Sequence, residues 1–396
     1  MIRRLGLHPT IALMAGTHLL VDGFGNIYAP LLPLLIPRLN LSLAAAGTLA
    51  MCFQIASSVS QLGFGHLADR WRPRVLLMAG PVISVTLLSL IGLATSPVVL
   101  GTILVLGGFG AAAFHPPAAA LVHRLAGRQQ GLAMAFHITG GSIGFALGPL
   151  IFAPIVGSFG LHWTPLFAIP GLLILAFSLR HVPPIELHSS DRTDGLGALK
   201  PYARPLTLLY LIVVLRTLAS LSFATFVPVM LTRRGLSVGA AGAVATVYLF
   251  ASGIGGFAGG PLADRFGARR VIALSLVLAV PFLATAPLLS GWTFTIVLAL
   301  GGLFLQSTLP VNVTFGQSIA PISAATVSSL MMGFAWGTGG LSVPFVGMLA
   351  DRIGISHALM VMACMPLLAA ACAWPLPPGR PHALARPSEV VAPEAT

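Results

Sequence analysis

The sequence predicts an all-α integral membrane fold, with twelve transmembrane helices in two pseudo-symmetric six-helix bundles. Composition is the first reason. The 396 residues are 56% hydrophobic and only 8% charged, with a mean hydropathy of +0.95, whereas soluble domains carry about 25% charged residues. Length is the second, because a helix needs roughly 20 apolar residues to cross the hydrocarbon core and the chain accommodates about twelve such runs. The third is an internal repeat. The cassette Gly65-His66-Leu67-Ala68-Asp69-Arg70 recurs as Gly260-Pro261-Leu262-Ala263-Asp264-Arg265, each copy interrupting an apolar run. The offset of 195 between Asp69 and Asp264 also superposes Pro33 on Pro228, so two halves share one plan. The runs are too long and unalternating for barrel strands, and helices satisfy their own backbone in lipid.

The elements follow in order. Helix one, near 10–36, comes after Arg3 and Arg4 and is too long, and carries a charge, for a cleaved leader. Helix two, near 43–65, ends on the first cassette, and Arg72 and Arg74 separate it from helix three at 75–95. Helix four, 98–122, holds His115 ahead of Pro116 and Pro117; helix five, 131–155, carries Gly140, Gly144 and Gly148-Pro149. Helix six, 162–182, closes a first bundle, 1–182. A cytoplasmic linker, 183–204, carries Glu186, Asp191 and Asp194 and is too short for a domain. Helices at 205–232, 239–261, 271–290, 293–319, 325–349 and 356–375 make the second bundle, 205–375. The tail, 376–396, is rich in Pro, Ala and charge and is expected to be disordered.

Charge sets the orientation. Of 21 Lys and Arg, only Arg38, Arg233, Arg234 and Arg352 fall on one side of these spans; Arg216 falls inside a helix and the rest lie on the other side. The positive-inside rule then places both termini in the cytoplasm, and the expected location is the bacterial cytoplasmic (inner) membrane. A net charge of +12 distributed this way is not the clustered footprint of a nucleic-acid binder. Cys52, Cys364 and Cys372 have no CxxC or Cys/His spacing, so no metal or disulfide framework is expected.

Asp22 is the one carboxylate that falls at membrane depth; Asp69, Glu186, Asp191, Asp194, Asp264, Asp351, Glu389 and Glu394 fall in loops or the tail. About twelve residues into its helix, at about 1.5 Å each, it lies near the midplane. A carboxylate there costs at least ~2.5 kcal/mol and marks a functional site by default. His18 lies one turn away on the same face, so the two are candidates for taking up and releasing a proton, with a structural hydrogen bond as the alternative. Arg216 needs an anion, either Asp22 across a cavity or an anionic substrate, or else it snorkels. Its helix is the repeat mate of the one carrying Asp22. His115, His137, Gln54 and Asn312 are candidate substrate contacts, with helix-to-helix hydrogen bonding as the alternative. Gly140, Gly144 and Gly148-Pro149 read as a packing motif, since small residues every fourth position let helix backbones touch. A third fragment, Gly347-Met348-Leu349-Ala350-Asp351-Arg352-Ile353-Gly354, falls on the opposite side and reads as a capped, charged turn.

The two cassettes resemble the loop signature of the major facilitator superfamily, G-x-L-x-D-R-x-G-R-R/K. The resemblance implies that Gly65, Asp69, Arg70, Gly260, Asp264 and Arg265 act as a conformational latch that locks one access state. His18-Leu19-Leu20-Val21-Asp22, Phe53-Gln54-Ile55-Ala56-Ser57-Ser58, Phe114-His115-Pro116 and the glycine series of helix five are similar to the fosmidomycin resistance protein group of efflux carriers, with Pro117 where that group commonly has an acid. The glycine series also follows the spacing of the superfamily's antiporter signature. The resemblance implies a proton-coupled antiporter exporting a small amphipathic or anionic compound, driven by the proton gradient without a cofactor and working as a monomer in the bilayer. A proton symporter importing an organic anion is the alternative. A membrane-embedded enzyme is disfavoured because no HExxH pair or activated nucleophile is present.

Overall fold

The computed structural model describes residues 7–70, 73–127, 129–182, 196–320, 326–327 and 330–378. Among these, eleven helices are long and apolar enough to cross a membrane. They are α1 (Pro9–Leu39), α2 (Leu43–Ala68), α3 (Pro73–Leu93), α4 (Pro97–Leu125), α5 (Leu132–Phe159), α6 (Leu161–Arg180), α7 (Leu199–Arg233), α8 (Val238–Phe266), α9 (Ala268–Leu288), α10 (Gly291–Ile319) and α12 (Ile355–Ala373). The twelfth, α11, consists of Leu330–Phe334, Ala335–Gly340 and Val343–Ile353. Arg74, Arg124, Arg180, Arg265, Arg269 and Arg270 lie at the ends of helices on one side, here the basic face. Arg38, Arg233, Arg234 and Arg352 lie at the opposite face.

The helices overrun the expected ends, and the cassettes are not loops. Gly260 to Arg265 forms the last turns of α8, which stops at Phe266 because Gly267 adopts a φ of +88°, a conformation other residues reach only with strain. The first cassette is helical as well, to Arg70. The side chains of Asp69 and Arg70 lie outside the described residues, as do Arg3, Arg4, Arg72, Arg128 and most of the linker and tail. Where those two segments are described they depart from expectation: 196–204 is already helical, and Leu376 is buried, its carbonyl accepting from Arg269 Nη1 at 3.0 Å.

The two halves repeat one packing plan. In the first, α1 packs on α5 and α3 on α4; in the second, α7 packs on α11 and α9 on α10. The repeat extends to single contacts. A Cβ on Gly107 would strike Leu88 and one on Gly108 would strike Ala56 and the Phe53 carbonyl; in the second half the counterparts are Gly301 against Leu283 and Gly302 against Tyr248 and Ser252. Glycine at these points lets a helix backbone meet its neighbour directly.

Two helices break beside their polar residues. Pro30 cannot donate to Asn26 and its ring crowds that carbonyl, so α1 splits into Pro9–Gly25 and Tyr28–Leu39. Beside this break the Asn26 side chain donates from Nδ2 to the Phe145 carbonyl at 2.8 Å. Pro310 acts likewise on Gln306, dividing α10 into Gly291–Gln306 and Thr308–Ile319. Both α2 and α11 contain a π-helical turn, Ile55–Val59 and Leu330–Phe334, and the two turns touch each other.

Candidate functional site

The first half carries a cluster built on α1. His18 and Asp22 are four residues apart, so they stack on one face, and His18 Nε2 lies 3.1 Å from Asp22 Oδ2. His115, from α4, brings its Nε2 to 3.6 Å from Asp22 Oδ1. The three imidazoles are close: ring centroids are 5.0 Å apart for His18 and His115 and 4.4 Å for His18 and His137. His18 Nδ1 lies 2.9 Å from the His137 carbonyl. A carbonyl oxygen accepts, so Nδ1 carries hydrogen and donates. The Nε2 to Oδ2 contact therefore holds one proton, shared between an imidazole and a carboxylate. Ligand atoms of His18, Asp22 and His115 lie within 4.8 Å of one another, a spacing a divalent cation could bridge. The direct His18 to Asp22 contact, with the backbone of α5 closing over it, fits a shared proton better.

Room for the pair depends on Gly141. A Cβ at that position would lie 2.4 Å from His18 Nε2 and 2.5 Å from Asp22 Oδ2. The positions beside it form a ladder: Gly140, Gly144 and Gly148 meet the carbonyls of Ala15, Leu19 and Gly23, so α5 lies backbone to backbone against α1. The Pro149 carbonyl in turn touches Gly242 of α8, which joins the halves. His137 is buried and its Nδ1 has no hydrogen-bond partner.

The second half carries a separate cluster. Arg216 is 0% exposed. Its Nη1 donates to the Gln306 side-chain oxygen at the break of α10, its Nη2 donates to Thr217 Oγ1 at 3.1 Å, and its guanidinium stands 5.3 Å over the Trp336 ring. Arg216 Nε is unpartnered, and so are both polar atoms of the buried Asn312 amide. The structure decides two alternatives left open by the sequence. Asp22 is engaged by His18 and His115 and not by Arg216, and complete burial rules out snorkelling. Gln54 takes neither side: it donates to Ser58 Oγ at 2.7 Å, and its stem packs on Gly340 of α11 at the junction of the halves.

The latch residues are apart from both clusters. Gly65 faces Pro116 at an ordinary 3.7 Å, and nothing lies within 4 Å of a Cβ on Gly260. The close approach expected of Gly260 falls instead on Gly259, one residue and about 100° of rotation away, whose Cβ would meet the Ser307 carbonyl at 1.8 Å. Asp264 and Arg265 are exposed, with Arg265 standing 5.2 Å over Phe266. The third fragment is more than a capped turn. Asp351 accepts from the Leu43 and Ala44 amides, at 3.0 and 2.9 Å, and so ties α11 to α2. Sequence reasoning placed Gly141 in the helix-five glycine series without its contact to His18 and Asp22, and missed Trp336 and this role of Asp351; the repeated Leu-Ala-Asp-Arg string was the available signal for the last.

A family model of the Major Facilitator Superfamily matches residues 14–238 and 208–395. The chain is 29% identical over 366 residues to the fosmidomycin resistance protein of Escherichia coli (strain K12), covering 89% of each. It is 28% identical over 368 residues to a probable 4-methylmuconolactone transporter of Cupriavidus pinatubonensis, covering 86% of this chain and 83% of that one. Among solved structures, a bacterial homologue of the human lysosomal transporter Spinster, inward-facing and unoccupied, has a TM-score of 0.75 at 18% identity, with 92% and 95% of the two chains covered. A duplicated bundle of membrane helices, matched in both halves by one family model, places this chain in the Major Facilitator Superfamily of membrane transporters.

Proposed function

We propose that this transporter is a proton-coupled antiporter that exports a small amphipathic or anionic compound from a bacterial cell, working as a monomer by alternating access with both termini in the cytoplasm. The observation that carries the reading is the 3.1 Å contact between His18 Nε2 and Asp22 Oδ2, which we read as sharing one proton, with His115 Nε2 3.6 Å from the same carboxylate as a second base. A site that shares one proton between two groups of different charge state changes its net charge by one when it opens to a more alkaline side. Coupling follows if the substrate favours the proton-free form. The fosmidomycin resistance relative supports export. Importing an organic anion by symport is the second reading, favoured by one observation: Arg216 is buried with no carboxylate partner among the described residues.

Asp22→Asn tests the coupling, because it keeps the shape and removes the titratable group. In proteoliposomes, accumulation of fosmidomycin or a panel of organic anions against an imposed pH gradient should disappear in this variant, while gradient-free counterflow persists. Unchanged gradient-driven accumulation would remove Asp22 as the coupling residue. The sign of the gradient that drives uptake separates export from import.

A further inference from the structure

Asp351 belongs to neither cluster, yet its carboxylate leaves its own half of the molecule. Leu43 N–H donates to its Oδ1 at 3.0 Å and Ala44 N–H to its Oδ2 at 2.9 Å, across 308 and 307 residues of chain. These are the first amides of α2, which have no acceptor within their own helix. The next, Ala45 N–H, is taken by Ser42 Oγ at 3.0 Å. One carboxylate from the second half thus completes the N-terminal cap of a helix in the first, where the helix dipole also favours negative charge.

Beneath this cap the seam is bare backbone. A Cβ on Gly347 would fall 2.2 Å from the Leu43 carbonyl, and one on Gly47 would fall 2.6 Å from the Val343 carbonyl. The antiparallel spacing, 43 against 347 and 351 and 47 against 343, places the polar contact at the rim and the close contact inside it. At these two points glycine lets the helix backbones meet directly, so the carboxylate is the polar tie at the rim of a close backbone contact. Asp351 is itself exposed, so water replaces its partners on release. In the second basic-face cassette the corresponding carboxylate, Asp264, is exposed and has no hydrogen bond or ion pair among the described residues. One end of the molecule is tied between its halves while the cassette at the other end is disengaged.

We infer that Asp351 is a latch of the transport cycle, holding α2 to α11 at the opposite face while the second basic-face cassette is released. It is a positioning residue: it touches neither the proton cluster nor Arg216 and acts by setting which face is closed. The third Leu-Ala-Asp-Arg string is then used at the opposite end of the molecule from the first two.

The test measures the access state without substrate or proton gradient, so it fails or succeeds independently of the antiport reading. Val98 and Thr293 are exposed repeat mates on the opposite face, one in each half. Spin labels at V98C and T293C, with Cys52, Cys364 and Cys372 replaced by serine, report their separation in nanodiscs by double electron–electron resonance. Asp351→Ala should raise the ratio of long to short separations at least tenfold, the scale of one charge-assisted hydrogen bond. Asp351→Asn, which keeps one acceptor oxygen, should shift it less. Arg38→Ala removes a contact on the same face but within one half, and should leave the ratio unchanged. Identical distributions for wild type and Asp351→Ala would overturn the latch, as would an equal shift in Arg38→Ala. Should Asp351→Ala not yield folded protein, Asp351→Asn decides, and a wild-type distribution there overturns the latch as well.

Discussion

Arg216 makes the strongest unmet demand of any single side chain. It is fully buried, donates only to the neutral oxygens of Gln306 and Thr217, and keeps Nε unpartnered. A cation at membrane depth costs about 2.5–3.5 kcal/mol on insertion scales, and neutral acceptors offset less of that than an anion would. On the hypothesis that the transported compound is anionic, Arg216→Gln should weaken its binding by about 2 kcal/mol, roughly thirtyfold, as measured by calorimetric titration of purified protein. Asp22 is satisfied elsewhere, so the losses from Arg216→Gln and Asp22→Asn should add to within about 0.5 kcal/mol. A larger coupling in that double-mutant cycle would show that the two charges form one pair. The sequence identified both charges but left their pairing open. One residue of offset is about 100° of helix rotation, and Gln306, the acceptor on another helix, lies ninety residues away.

At the scale of elements, the contact of α1 with α5 decides whether the proton cluster exists. The spacing of Gly140, Gly144 and Gly148 announced a close helix contact in the sequence; that α1 is the partner, and that Gly141 roofs His18 and Asp22, came from the packing. Gly141→Ala would push a methyl into both groups, so it should cost about 1–3 kcal/mol of stability, as overpacking does, and separate Nε2 from Oδ2. Gly16→Ala on α1 meets nothing within 4 Å and serves as the control. Thermal unfolding in detergent, paired with the pH-gradient assay, should show the first variant impaired in both and the second in neither. If Gly141→Ala keeps full gradient-driven transport, the short contact between His18 and Asp22 is not required for coupling.

The whole molecule shows its duplication most clearly in a pair of arginine contacts on the opposite face. Arg38 Nη1 donates to the Gly92 carbonyl at 2.6 Å, joining the end of α1 to the end of α3. In the second half Arg234 bonds the carbonyls of Pro287 and Leu289 at the end of α9, and Ser356 Oγ on α12. Pro287 stands at the repeat offset from Gly92. Each arginine ties ends within its own half, so Arg38→Ala and Arg234→Ala should each destabilise by about 1–3 kcal/mol, the range for a hydrogen bond to a charged group. The effects should add, because the sites share no partner. Chemical denaturation of both single variants and the double would show it; a strongly non-additive result would mean that the two halves unfold through a common contact.

Sequence alone determined what depends on composition and local pattern. Apolar runs of helical length, an offset of 195 and the sidedness of the arginines establish a duplicated helical membrane protein, because lipid admits few ways to satisfy a backbone. A lone carboxylate with a histidine one turn away identifies His18 and Asp22, since four residues make slightly more than one full turn. Tertiary structure alone decided which groups complete each cluster: His115 joins Asp22, Gln306 and Trp336 surround Arg216, and Asp351 crosses from α11 to α2. Those contacts join residues 90 to more than 300 positions apart. They depend on helix rotation and on the breaks at Asn26 and Ser307, which shift faces by amounts that no local periodicity encodes.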